Sequence, residues 1–223
     1  MKDAETFRKI KTSLCTAVVG DVLDTMGFRH QYLPQPIKPL VENTKLVGRA
    51  MTVLEADYPE GRGHGPLSDV PFGVMFAALD DLKSDEIYIA SGSSFEYALW
   101  GGLMSTRAQH LNAAGAILNG FIRDTGEIRN LDFPVFSRGS FAQDQGVRGK
   151  VLDYRVPIEM NHLTVQNGDL LFGDDEGVLV IPQSAEQEAI ELALEKASTE
   201  NAVADAIRNG MSATEAFETF GVM

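Results

Sequence analysis

The chain has 223 residues, of which 44% are hydrophobic and 23% charged, proportions typical of a folded globular protein rather than of a collagen-like or disordered one. Its net charge of −13 disfavours sequence-independent binding of DNA or RNA, because a polyanion repels an acidic surface. A single cysteine, Cys15, excludes an internal disulfide framework and a thiolate zinc cluster.

Helices and strands alternate in the first part of the chain. The hydrophobic pattern predicts, in chain order, helix 3–14, helix 16–26, strand 46–56, helix 72–82 and strand 86–91. Between the first strand and the third helix lies a Gly- and Pro-rich loop, 57–71, which carries Arg62 and His64. Loops of this length often cover or line a binding site, although surface inserts are equally common.

The central part of the chain holds the residues that point most clearly to chemistry. Gly101 and Gly102 precede a helix predicted over 103–113, and a buried strand predicted over 116–122 follows. The first backbone N–H groups of a helix have no partner within the helix, and the helix dipole favours negative charge there. This segment therefore suggests a site for a carboxylate or phosphate, although glycines before a helix are usually only a turn.

Arg123 and Asp124 follow directly where the central buried strand is predicted to end. An arginine can hold an anion through two parallel hydrogen bonds. A carboxylate oxygen suits Mg²⁺ or Mn²⁺, and Mg²⁺ uses few protein carboxylates and keeps several waters. In isolation, the alternative of a solvated turn is the more common one for such a dipeptide.

The C-terminal part combines short strands with helices. Strands are predicted over 134–136, 151–156, 163–166, 169–172 and 177–181. Ser184 and Gln187 suggest a capping box that opens a helix reaching residue 209, and Ser212 and Glu215 suggest another for a last short helix. A helix of about 25 residues spans about 38 Å, so its apolar residues cover either their own domain or a neighbouring subunit. The acidic residues 174–176 suggest a hairpin turn rather than a metal site.

Several reaction classes lack their sequence signals. The four histidines show no metal-ligand spacing, and the chain contains no nucleophile elbow, Walker A loop or G-x-G-x-x-G motif. No lysine lies within a predicted apolar strand, where desolvation would lower its pKa for Schiff-base chemistry. Covalent and nucleotide-dependent mechanisms are therefore disfavoured.

A family resemblance rests on the segment 101–124, GGLMSTRAQHLNAAGAILNGFIRD. It closely resembles the core signature of the RraA-like family, which includes the metal-dependent 4-hydroxy-4-methyl-2-oxoglutarate / 4-carboxy-4-hydroxy-2-oxoadipate aldolases and the RraA regulator of ribonuclease E. Four further segments resemble successive blocks of the family: DVLDTMG, VGRAMTV, PVFSRG and GDLLFGDDEGVLVIP. The resemblance implies a layered α/β/β sandwich of the swivelling β/β/α type, formed by one domain over 1–223 with a C-terminal helical arm over 184–223.

The resemblance also implies roles for the central residues. In the aldolases, backbone amides of the helix-start loop hold the pyruvate carboxylate, which places substrate binding on Gly101, Gly102, Leu103 and Met104. Arg123 would stabilise the pyruvyl oxygen and the enolate, and Asp124 would bind Mg²⁺ or Mn²⁺. The implied activity is retro-aldol cleavage of a 4-hydroxy-2-oxo acid, oxaloacetate decarboxylation, or both, and both require stabilisation of a pyruvate enolate.

Two features depart from the family pattern or extend it. Many members carry an acidic residue where this chain has Gly102, which puts the proton-transfer route in question. In the aldolases a glutamate of the C-terminal arm approaches the site of an adjacent subunit, and Glu200 is the nearest candidate here. A shared site of this kind implies a homotrimer or a hexamer, built as a dimer of trimers.

Two other functions remain open at this point. One is an RraA-type regulator that binds a ribonuclease without catalysis; however, the regulators resemble shorter chains that end near the last strands. The other is a quinone or S-adenosylmethionine-dependent methyltransferase, which the missing glycine-rich cofactor loop disfavours. The charged N-terminus and the lack of a long apolar run predict a cytoplasmic protein with no membrane segment, and the negative net charge predicts no nucleic-acid partner.

Overall fold

The fold is organised by strands that run throughout the chain, as seen in the computed structural model, which describes residues 2–58 and 65–221. The strands are β1 (Lys38–Pro39), β2 (Leu46–Asp57), β3 (Glu86–Ser91), β4 (Ala98–Trp100), β5 (Gly115–Leu118), β6 (Phe121–Ile122), β7 (Val135–Ser137), β8 (Gly149–Tyr154), β9 (Ile158–Met160), β10 (Leu163–Val165), β11 (Leu170–Asp174) and β12 (Gly177–Ile181). The helices are α1 (Lys2–Ser13), α2 (Thr16–Thr25), α3 (Met75–Asp80), α4 (Gly102–His110), α5 (Thr125–Asn130), α6 (Glu186–Arg208) and α7 (Ala213–Phe220).

The main sheet is mixed, with the strand order β1-β7-β5-β3-β2-β11-β12 and with β8 paired to the second part of β2. Strands β2, β3, β5 and β7 are parallel, and the register aligns Ile87 with Gly115 and Ala90 with Leu118. These central strands are buried on both faces, which explains their nearly continuous apolar sequences. Strand β6 leaves this sheet and pairs in parallel with β4.

Helices cover the main sheet on separate patches of buried side chains. Helices α3 and α4 contribute to a core with Tyr88, Trp100 and Leu118. Helices α1, α2 and α6 pack on the β11–β12 hairpin through residues such as Phe172 and Leu179. The first half of α6 therefore covers its own domain, as shown by the buried residues Ala189, Ile190 and Ala193.

Three predicted elements are wrong in their extent, one of them the helix predicted over 103–113, which ends at His110 in α4. The strand predicted over 116–122 is divided at Asn119 and Gly120 into β5 and β6, which belong to different sheets. The helix predicted over 72–82 is confined to α3 and begins only at Met75, because Phe72 (φ 60°) and Gly73 (φ 63°) adopt left-handed backbone conformations that a right-handed helix cannot include.

Local details also differ from the sequence analysis. The capping box predicted at Ser184 is wrong, since the residue before α6 is Ala185 and no side chain caps that end; Gln187 instead donates to Glu191. The second capping box, between Ser212 and Glu215, is confirmed. Strand β4 lies in a segment where no strand was expected, and helix α5 follows Asp124 without a predicted counterpart.

The acidic residues 174–176 form a hairpin turn, as predicted. Asp174 accepts hydrogen bonds from the amide and the hydroxyl of Thr16, and Asp175 accepts one from the amide of Asn43. In the long loop, Arg62 and His64 lie outside the described residues. Within the described part of the chain, no helix has the length and the apolar character needed to cross a membrane.

Candidate active site

The small β4–β6 sheet brings the predicted site residues together. Strand β4 leads through Gly101 into α4, and β6 leads into Arg123 and Asp124. Because the two strands are parallel, their carboxyl ends meet at one edge, where the amide of Arg123 donates to the carbonyl of Trp100 at 3.0 Å. The sheet pairing thus places the start of α4 beside the Arg–Asp dipeptide.

Asp124 is directed at the start of α4 by an unusual backbone conformation. Its φ of 57° lies in the left-handed region, which aspartate tolerates better than most residues. Its Oδ2 accepts a hydrogen bond of 3.1 Å from the amide of Gly102. The amide of Gly102, one of those predicted to bind an anion, is therefore already bonded to Asp124. The amides of Leu103 and Met104 lie in the first turn of α4, where the helix supplies no internal acceptor for them.

Arg123 is held on its other side by the loop after β7. Its Nη1 donates to Asp144 Oδ1 at 2.7 Å, and its Nε lies 3.7 Å from Asp124 Oδ2. Asp144 is in turn oriented by the amide of Gly146, which donates to its second carboxylate oxygen at 2.7 Å. The side chain of Arg123 is 40% exposed, so it is positioned by two carboxylates while retaining access to a ligand.

A cleft of about 280 Å³ opens at these residues. Arg123, Asp124, Asp144 and Gln145 contribute its polar lining, and the rest is apolar apart from Gly101. A second hollow, lined by Phe141 and residues 122–125 among others, shares Arg123 and Asp124 with the cleft. Both hollows thus converge on the Arg–Asp pair.

Glu127, on α5, supplies a second carboxylate next to Asp124. An added Cβ at Gly102 would overlap Glu127 Oε2, so the glutamate occupies the space that a side chain at position 102 would take. In the described ranges, 2–58 and 65–221, no group of three or more His, Cys, Asp or Glu residues is arranged to hold a metal. One or two carboxylates are nevertheless the usual protein share of a Mg²⁺ site, so Asp124 with Glu127 beside it fits such an ion.

A buried carboxyl group lies behind the cleft. Glu55, on β2, is 1% exposed, and its Oε2 accepts a hydrogen bond of 2.8 Å from Nε2 of Gln145. Burial raises the pKa of Glu55 to about 8, an effect that the hydrogen bond from Gln145 partly offsets. Its Oε1 is also buried and has no hydrogen-bond partner in the described structure. Glu55 is therefore mainly neutral at pH 7 and supports the cleft through Gln145.

Glu200 lies elsewhere in the chain. It is on α6, 3.6 Å from Lys196, and it lines a hollow between α6 and the α1–α2 junction together with Cys15 and Lys45. The structure thus does not bring Glu200 to Arg123 within one chain. Its approach to the site of a neighbouring subunit stays a prediction.

Four residues of this arrangement were not predicted from the sequence. Asp144 and Gln145 lie in an irregular loop with no motif, and Glu127 lies on a helix that was not predicted. Glu55 did carry a signal, because a carboxylate interrupts the apolar strand LVGRAMTVLEA at a position that proves buried.

Comparison with known proteins identifies relatives over most of the chain. The sequence model of the RraA-like family, described as Aldolase/RraA, matches residues 16–180. This match confirms the family resemblance predicted from the segment 101–124. A solved structure of an uncharacterized protein from Pseudomonas syringae pv. tomato DC3000 is 28% identical, covers 97% of this chain and 94% of its own, and superposes with a TM-score of 0.85.

Two curated relatives extend the comparison. "Protein DlpA" of Legionella pneumophila is 29% identical over 206 residues, which cover 92% of this chain but only 32% of DlpA, so this chain spans about a third of that relative. A protein of Halalkalibacterium halodurans named "Putative 4-hydroxy-4-methyl-2-oxoglutarate aldolase" is 30% identical over 202 residues, covering 91% of this chain and 89% of the relative.

Proposed function

Because the chain belongs to the RraA-like (Aldolase/RraA) family, we propose that it is a divalent-metal-dependent lyase that cleaves a 2-oxo acid through a pyruvate enolate. The reaction is retro-aldol cleavage of a 4-hydroxy-2-oxo acid, decarboxylation of oxaloacetate, or both. The observation that carries the proposal is the convergence of Arg123 and Asp124 with the start of α4 in one cleft.

Each of these groups meets a need of enolate chemistry. The amides of Leu103 and Met104 donate to the substrate carboxylate, and the helix dipole favours its charge. Arg123, fixed by Asp144, donates to the 2-oxo oxygen, where negative charge develops as the C3–C4 bond of the substrate breaks. Asp124, with Glu127 nearby, would hold Mg²⁺ or Mn²⁺, and the bound ion would supply Lewis-acid chemistry at the 2-oxo group.

The proposal is tested first on the pyruvate half alone. In D₂O, an enzyme that forms the enolate exchanges the methyl protons of pyruvate, and ¹H NMR measures the loss of that signal. We expect exchange with Mg²⁺ or Mn²⁺ and none after EDTA. Pyruvate release from oxaloacetate and from 4-hydroxy-4-methyl-2-oxoglutarate is then measured against metal-only blanks, because oxaloacetate also decarboxylates without protein.

The metal assignment has its own variant and control. Asp124→Asn removes the charge but keeps an acceptor for the amide of Gly102, and we expect about a hundredfold slower exchange. Asp132→Asn is the matched control, because Asp132 also has a left-handed backbone (φ 52°) but lies at the other end of α5. Titration of free Mn²⁺ by electron paramagnetic resonance should show weaker binding for Asp124→Asn only.

Two outcomes of these experiments would contradict the proposal. Exchange that survives EDTA would refute the metal dependence. No exchange and no pyruvate release, with Mn²⁺ bound and the protein folded, would refute the lyase and favour a non-catalytic, RraA-type binding role.

A further inference from the structure

The part of the cleft away from the polar groups is an apolar wall. Its main members are Phe72, Met75, Phe76, Trp100, Leu103 and Met104. Phe76 is 57% exposed and Leu103 is 85% exposed, so two large hydrocarbon side chains face solvent at the rim. Exposed apolar side chains grouped at a cleft are typical of a surface that a ligand covers.

The wall is fixed by a strained turn before α3. Phe72 has a φ of 60°, a conformation that is rare for an aromatic residue and that persists only where its surroundings impose it. Two backbone hydrogen bonds to β8 impose it here: the amide of Val151 donates to Phe72 at 3.1 Å, and the amide of Val74 donates to Val151 at 3.0 Å. The ring of Phe72 meets that of Phe76 edge to face, with centroids 5.7 Å apart. The wall is thus formed before any ligand binds.

Apart from Arg123, the described side chains that line the cleft offer no cation to a second carboxylate on the substrate. Among the described lining residues, Arg123 is the single cation, whereas Asp124 and Asp144 are anions. Two described cations near the lining residues are already engaged: Arg148 donates to the carbonyl of Asp144 at 3.0 Å, and Lys150 donates to the carbonyls of Leu67 and Ser68. A carboxylate placed against the apolar wall would lose hydration without gaining a partner, which is costly.

From this wall and these charges, and resting on the lyase function proposed above, we infer that the substrate is a 4-hydroxy-2-oxo acid with an aryl group at C4 in place of a second carboxylate. The ring lies against Phe72 and Phe76, in the edge-to-face or offset geometry that aromatic rings prefer. In the reaction the C3–C4 bond breaks, C4 leaves as an aromatic aldehyde, and the electron pair stays on C3 as the enolate. The C4 hydroxyl proton passes to water, and C3 takes one proton from water to give pyruvate.

A matched pair of substrates tests this inference on the wild-type protein. Cleavage of 4-hydroxy-2-oxo-4-phenylbutanoate gives pyruvate and benzaldehyde, and cleavage of 4-hydroxy-2-oxoglutarate gives pyruvate and glyoxylate. We expect kcat/KM to be at least about tenfold higher for the phenyl compound. A higher kcat/KM for the dicarboxylate would overturn the inference and leave the proposed function intact. Failure of that function would appear differently, as no pyruvate exchange and no product from either compound.

A variant locates the preference on the wall. Phe76→Ala removes an aromatic side chain from the rim, and we expect the ratio of kcat/KM values, phenyl compound over dicarboxylate, to fall about tenfold. Phe217→Ala is the matched control, because Phe217 is 58% exposed on α7 and does not line the cleft; its ratio should equal that of the wild type. An unchanged ratio in Phe76→Ala, or an equal fall in both variants, would refute the assignment to this wall.

Discussion

The buried carboxyl group behind the cleft gives a prediction whose size follows from the structure. Glu55 has its pKa raised by burial from 4.5 to about 8 in the folded chain. The folded state therefore keeps a proton that the unfolded state loses, and the stability of the protein falls as the pH rises from about 4.5 to about 8. One pKa unit corresponds to about 1.4 kcal/mol, so the full loss is about 5 kcal/mol, most of which lies between pH 5 and pH 8.

Glu55→Gln removes this dependence without removing the hydrogen bond. A glutamine cannot ionise, and its amide oxygen still accepts from Nε2 of Gln145. We expect the variant to gain roughly 3 kcal/mol of stability relative to the wild type between pH 5 and pH 8. Urea unfolding at fixed protein concentration, at several pH values across that range, measures the difference.

Glu188→Gln, which replaces an exposed carboxyl group on α6, serves as the control for the loss of a negative charge. Its stability should follow the wild-type pH profile, whereas the profile of Glu55→Gln should be flatter. Parallel profiles for Glu55→Gln and the wild type would refute the reasoning, because they would mean that Glu55 holds no extra proton in the folded state.

Two further substitutions test the architecture of the cleft. Arg123→Lys keeps the charge but loses the planar guanidinium that Asp144 orients, so kcat/KM for pyruvate release should fall about a hundredfold. The control is Arg107→Lys, because Arg107 is equally exposed and pairs with Asp80; its kcat/KM should be close to that of the wild type. Gly73→Ala places a methyl group against the carbonyl oxygen of Val151 at a φ of 63°, so the free energy of unfolding in urea should fall by about 2 kcal/mol or more. Gly27→Ala, at a φ of 93° with open space around it, measures the cost of the backbone conformation alone. An equal fall in both variants would refute the predicted clash with Val151.

The sequence was sufficient to predict the parts of the fold that local patterns determine. The strands near 46–56 and 86–91 carry β-branched and apolar runs of the kind that a doubly covered parallel strand needs, and both were found. Ser212 and Glu215 satisfy each other's backbone groups within four residues, so their capping box was also predictable. In the site, Arg123 and Asp124 could be predicted because they follow a helix start and a buried strand in chain order.

What the sequence could not supply depends on distant pairing. The dipeptide Asn119-Gly120 is a typical turn signal, so the break between β5 and β6 could have been predicted; the sequence does not show that β6 then pairs with β4 in a separate sheet. Asp144 lies 21 residues after Arg123, in a loop with no periodicity, and it reaches the guanidinium only because that loop folds back over the cleft. The sequence does not show that Phe72 lies outside the helix, because its left-handed conformation is imposed by hydrogen bonds to β8.

The glycine at position 102 illustrates why the site must be considered as a set of residues. By itself, Gly102 looks like the loss of an acidic group from the start of α4. The structure places the carboxylate of Glu127 in the space beside it, and an acidic side chain at 102 would bring a second negative charge into that same space. Glu127 would then have to turn away, because two carboxylates at such a distance repel each other strongly. The negative charge next to Asp124 is therefore retained in this chain, although it comes from α5 instead of from the first turn of α4.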